Sequence, residues 1–331
     1  MDYRKLIGFG NGSFIVTIPR SWAKSNNLKK GDLLMMDEKE HELVIGTKPS
    51  SVESQHTEIV IETSGKPMEQ IKTEIVTAYL NCYDTIIIHA KDLDKSTLLI
   101  KSMMRNLSGM EIMEANASKI IAKNLLNPME VSMDNVVRRM DIIVRSMIDD
   151  ALLCATGHYS PSVLEERDVD VNRLYFLGSR MVKSAMITPS LAKMMEKTPW
   201  QLHSDKMLLM RLEKIADFQK RIARIFLEMQ LDRDSLAEMQ GIITQFKADF
   251  EQIMKAYYQK DAQTALSIQV AIKDRTNACN AFLLGVNRRL ILNKQGAKMR
   301  GEAHTSVARL AENMKGAFSQ LKYMARYVLC Y

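Results

Sequence analysis

The spacing of hydrophobic and polar positions changes character twice along the chain. Over residues 1–48 the period is two: Phe14, Val16 and Ile18 alternate with Ile15 and Thr17, the alternation of a strand with one apolar face. Two short runs of β-formers, residues 4–9 and 13–19, flank Asn11-Gly12, a strong hairpin dipeptide. Pro19 ends the second run. Residues 20–26 predict about two turns of helix, and Lys30-Gly31-Asp32 predicts a turn before strands at 33–36 and 42–45. So short a segment, with so little apolar volume, does not close a core by itself. A dimer that shares strands is the expected solution.

The segment 47–55, TKPSSVESQ, is polar and reads as a linker. Residues 57–128 then mix both periods. A strand at 58–62 precedes a helix at 67–80, with Met68, Ile71, Ile75 and Tyr79 on one side. A strand at 85–89, a helix at 96–107 and strands at 111–115 and 119–122 follow, so this stretch predicts a small α/β module. It carries neither G-x-G-x-x-G nor G-x-x-x-x-G-K-[ST], and dinucleotide and P-loop functions have no support. From Ser132 the helical period takes over. Six helices are expected at 132–156, 161–187, 204–230, 233–259, 262–292 and 302–328, and they read as two triplets, 132–230 and 233–331, of one duplicated unit. The fold class is therefore multidomain: a β-rich N-terminal module, an α/β middle and an all-α bundle.

Composition sharpens this picture. Of 331 residues 46% are hydrophobic, which excludes global disorder, and no proline follows Pro199, which suits long helices. The 24 methionines fall largely in helix stripes and read as core filler. Four distant cysteines without C-x-x-C argue against disulfides and zinc knuckles and for a reducing compartment. No apolar run approaches the ~18 residues of a membrane span. A cytoplasmic protein without membrane insertion is expected. The net charge of +7 permits contact with polyanions without demanding it. Basic residues are densest in 1–31, where Arg4, Lys5, Arg20, Lys24, Lys29 and Lys30 face only Asp2. A second basic stretch, 285–331, reads more simply as a solvated helix face.

Candidate chemistry is sparse. Glu166 and Asp170, then Glu213 and Asp217, form acid pairs four residues apart on consecutive long helices, a spacing that stacks both carboxylates on one face. Asp170 falls in register with a stripe of Val163, Leu174, Leu177 and Met181, while Glu213 and Asp217 flank one of Leu208, Leu212, Ile215, Ile222 and Phe226. The competing reading is of solvated helix acids paired with Arg167, Arg173, Lys220 or Arg221. The six histidines are scattered, and no Glu-x-x-His lies on a helix, so a ferritin-like di-iron centre is rejected. No nucleophile–base arrangement accompanies the carboxylates, and no enzyme activity is expected.

Two resemblances bear on function. RKLIGFGNGSFIVTIPRSWAKSNNLKKGDLLMM resembles the AbrB/SpoVT-type swapped-hairpin DNA-binding domain. This implies an intertwined homodimer through residues 1–48, with Arg4, Lys5, Asn11, Arg20 and Lys24 at the DNA. LEKIADFQKRIA, residues 212–223, is similar to a signature of PhoU, the phosphate-uptake regulator, and Glu166-x-x-x-Asp170 followed by VNRLY resembles its partner motif. That likeness implies metal bound by Glu166, Asp170, Glu213 and Asp217, and carboxylate-only ligation favours hard ions such as Mg, Mn or Fe(III). In the second triplet Val270 precedes Asp274 and Gly316 follows Glu312, so each pair lacks one acid. The fusion resembles archaeal phosphate-uptake regulators. It implies a dimeric DNA-binding transcriptional regulator whose helical half senses a signal or binds a partner, such as a phosphate transporter or signalling protein. A signalling adaptor that docks on a kinase or transporter is the alternative. A metal-dependent hydrolase is the weakest reading.

Overall fold

The computed structural model describes residues 3–10, 12–38, 41–47, 57–89, 97–156, 161–229, 231–292 and 297–330, in two compact units that divide between His56 and Thr57.

In the first unit β1 (Ile7–Phe9) pairs antiparallel with β2 (Ser13–Ile15), with Ile7 opposite Ile15 and Phe9 opposite Ser13. Gly10 and Gly12 at the tip adopt φ of 64° and 123°, a region open to glycine at no steric cost. Helix α1 (Arg20–Ser25) begins after Pro19, and β3 (Leu34–Glu38) pairs with β4 (Leu43–Thr47) in a second hairpin. The first ladder is shorter than the sequence predicts, since residues 4–6 and 16–19 stay outside it. Two-stranded ribbons are marginal when unsupported, and here support is missing: no residue of this unit whose exposure is described is buried.

The second unit opens with β5 (Glu58–Glu62), α2 (Met68–Leu80), β6 (Thr85–His89), α3 (Thr97–Arg105), β7 (Met110–Ala115) and β8 (Lys119–Asn124). The strand order is β5-β6-β8-β7; α2 crosses between the parallel pair β5–β6, and the remaining pairs are antiparallel. One face buries Ile61, Ile86, Ile88, Ile120 and Ala122 against Ile71, Ile75 and Tyr79 of α2 and Ile100 and Met104 of α3.

The helical part comprises α4 (Met133–Ala155), α5 (Pro161–Ile187), a short α6 (Pro189–Met194), α7 (Pro199–Glu228), α8 (Arg233–Gln259), α9 (Ala262–Leu292) and α10 (Ala297–Leu329). Ser132 and Asp232 cap α4 and α8 through the amides of Asn135 and Ser235. Helix α7 starts five residues earlier than expected, because Thr198 and Gln201 close a reciprocal capping box around Pro199. One continuous core joins the two triplets, with Phe246, Phe250, Phe282 and Phe318 fully buried.

The α/β and helical parts, expected as separate domains at 57–128 and 132–331, form a single compact unit. The buried Arg180 of α5 ties them together. Its Nη1 donates to the carbonyls of Tyr79 (2.6 Å) and Tyr83 (3.1 Å), and the guanidinium lies 4.9 Å from the centre of the Tyr79 ring.

Candidate functional site

The basic residues of the N-terminal unit are set by its hairpin. With Ile7 opposite Ile15, the chain leaves the ladder at the end away from the Gly10–Gly12 tip, carrying Arg4 and Lys5 on one side and Pro19-Arg20 on the other. Arg20 opens α1 and Lys24 lies one turn later, so the two share a helix face. Arg4, Lys5, Arg20 and Lys24 are all exposed. Asn11 lies outside the described residues. The same unit exposes Phe9 (66%), Phe14 (69%) and Leu33 (70%). Dense cationic charge and uncovered apolar side chains thus occur together on one small body.

In the bundle, α5 and α7 bring a different acid set together from the expected one. Glu166 and Asp170 are exposed, and Asp170 has only a long contact with Arg173 (3.9 Å). The inward face of α5 is offset from the expected stripe. It runs through the buried Leu164, Val171, Leu174 and Met181, while Val163 and Leu177 are half-buried. Asp168, four residues after Leu164 and three before Val171, lies on that face, and Asp170 does not. Lys220 Nζ stands 2.5 Å from Asp168 and 3.3 Å from Asp217. Arg221 lies 3.2 Å from Asp217, and Lys214 lies 3.2 Å from Glu213. Burial, with the neighbouring charges of Asp217 and Asp168, pushes the Glu213 carboxyl above the usual carboxylate range, although Lys214 opposes the shift. Three acids therefore face three cations.

These residues do not fit the metal centre that the resemblance implies. Two of its four carboxylates point to solvent, and an ammonium stands between two of the acids the fold does assemble. Among the described residues no three His, Cys, Asp or Glu side chains are grouped as a metal would require. Sequence spacing misses Asp168, whereas Lys220 and Arg221 are among the cations that the solvated-acid reading pairs with these helices. The signal for Asp168 is its offset of four and three residues from Leu164 and Val171, which the more regular acid pair overshadows.

Residues 9–53 match the sequence family described as antidote-toxin recognition MazE, bacterial antitoxin. Among curated proteins, no sequence matches this chain. Among solved structures the chain is similar to the crystal structure of PhoU from Pseudomonas aeruginosa, with 14% identity and a TM-score of 0.49, over 60% of this chain and 93% of that one. No described helix is long and apolar enough to cross a membrane.

Proposed function

We propose that this protein is a homodimeric, DNA-binding transcriptional regulator of phosphate uptake or a related response, acting in the cytoplasm and catalysing no reaction. The observation that carries the reading is the N-terminal unit itself. It buries no side chain whose exposure is described, matches the MazE sequence family over residues 9–53, and exposes large apolar residues as well as Arg4, Lys5, Arg20 and Lys24. Leaving several large side chains in water forfeits roughly 1.5–3 kcal/mol apiece, which a second copy covering them would recover. Pairing would also double the cationic charge on one surface, and phosphate neutralisation depends on such density.

The helical half serves in this reading as the sensory or partner-binding part, and a phosphate transporter or signalling protein is its expected partner. Its support is the 212–223 motif, placed on α7 within two consecutive triplets of long helices around one core. Genome-wide occupancy of the tagged protein tests the reading. Discrete peaks at promoters of phosphate-responsive genes are expected. No enrichment over an untagged control, with the protein recovered instead on a kinase or transporter, would replace the regulator with the signalling adaptor.

A further inference from the structure

Among the described residues, the helices packed on the four-stranded sheet, α2 and α3, lie on one face. The sheet's other face is patterned in three rows across β5, β6 and β8. The middle row is apolar: Val60, 55% exposed, lies beside Ile87, which lies beside Ile121. One flanking row runs Glu58, Thr85, Lys123, with Thr85 buried between two exposed charged residues, and the other runs Glu62, His89, Lys119. Each flank thus carries an acid on β5 and a lysine on β8, and both acids are exposed. The acid and the lysine of a row stand two strands apart, about 9.6 Å along the sheet, and they make no ion pair in the described structure. Glu111 of β7 is opposite Lys123 and is not paired with it either.

We propose that this open face is a self-association surface whose occupant is the same face of a second copy of this chain. A twofold axis parallel to β6 lays β5 of each copy over β8 of the other. Because row-mates sit at one level, that operation sets Glu58 over Lys123 of the second copy, Glu62 over Lys119, and Val60 over Ile121, with Ile87 on the axis. The pattern is complementary to itself in both charge and apolarity under one rotation, as an isologous interface requires. Aligned sheets pack about 10 Å apart with strands within about 30° of each other, a geometry that long Glu and Lys side chains accommodate. The contact does not depend on pairing at the N-terminal unit.

Carbodiimide cross-linking of a 1:1 mixture of ¹⁴N- and ¹⁵N-labelled full-length protein reads this contact, because the reagent joins a carboxylate to a lysine without a spacer. Mixed-isotope cross-links Glu58–Lys123 and Glu62–Lys119 are expected, and Val60→Asp should lower their yield at least tenfold. As a second arm, Glu58→Lys/Glu62→Lys protein mixed with Lys119→Glu/Lys123→Glu protein should cross-link between the two variants. Absence of mixed-isotope cross-links at these pairs, or a yield indifferent to Val60→Asp while the charge-swapped mixture also fails to cross-link, overturns the proposal whatever the native mass of the protein.

Discussion

Phe218 of α7 rests against Gly316 of α10 so closely that a Cβ at position 316 would come within 2.4 Å of the ring Cζ and 2.6 Å of Cε1. Position 316 is where the second triplet lacks the later acid of its pair. A phenyl ring takes the space that side chain would need, so its absence from the sequence has a packing cause.

Gly316→Ala tests that relationship. In an open helix interior the change stabilises by about 1 kcal/mol, but overpacking costs about 1–3 kcal/mol. Chemical denaturation should therefore show a less stable protein, and Phe218→Ala in the same background should remove the clash. A stabilised Gly316→Ala variant would mean that the ring yields freely.

Asp232 and Asp261 cap α8 and α9, and both carboxyls are held below the usual carboxylate range. For Asp261 the hydroxyl and amide of Thr264 are responsible; for Asp232, burial is outweighed by the hydroxyl and amide of Ser235 and by Arg289. A lowered folded-state pKa means that the unfolded chain binds protons more readily. This stabilisation is therefore complete above the ordinary carboxylate range and lost as pH falls through and below it. The Asp232→Ala/Asp261→Ala protein should melt below the parent at pH 7, with the gap closing towards pH 3. A gap that stays constant with pH would contradict the assignment.

Asp168, Glu213 and Asp217 are ion-paired with Lys220, Lys214 and Arg221 respectively. Elemental analysis of the purified protein should find Mg, Mn and Fe well below one per chain. Lys220→Met should destabilise the fold by leaving Asp168 and Asp217 without their shared cation. A stoichiometric metal that Asp217→Asn removes would restore the expected centre.

Much of the fold was legible because long elements carry many repeats of their period. The expected bounds of α5, α8 and α9 are those observed, as are those of β5 and β6. The start of α7 was hidden, since Pro199 reads as a break until Thr198 and Gln201 are seen to cap the helix from both sides. At the candidate site the limit was angular. On α5 a two-residue step turns a side chain through about 200°, so Asp170 is a solvated acid where Asp168 is an inward one. The Arg180 tie to the carbonyls of Tyr79 and Tyr83 spans about a hundred residues and leaves no trace in local pattern.

Assembly should follow the N-terminal unit. Sedimentation of full-length protein is expected to give at least a dimer, and residues 57–331, which hold their own core but keep only the sheet-face contact, should self-associate more weakly than the full-length protein. A folded, monomeric 1–56 fragment would show that the exposed Phe9, Phe14 and Leu33 need no second copy.

Salt-dependent DNA binding tests the central claim most directly. Affinity of the full-length protein for duplex DNA should fall steeply with salt, because Arg4, Lys5, Arg20 and Lys24 neutralise phosphates and release counterions. Arg20→Ala/Lys24→Ala should weaken binding to all sequences and flatten the slope of log affinity against log salt by roughly one unit for each phosphate that is no longer neutralised. Binding as tight as the parent's at every salt concentration would contradict the account and remove the N-terminal unit as the DNA-binding surface.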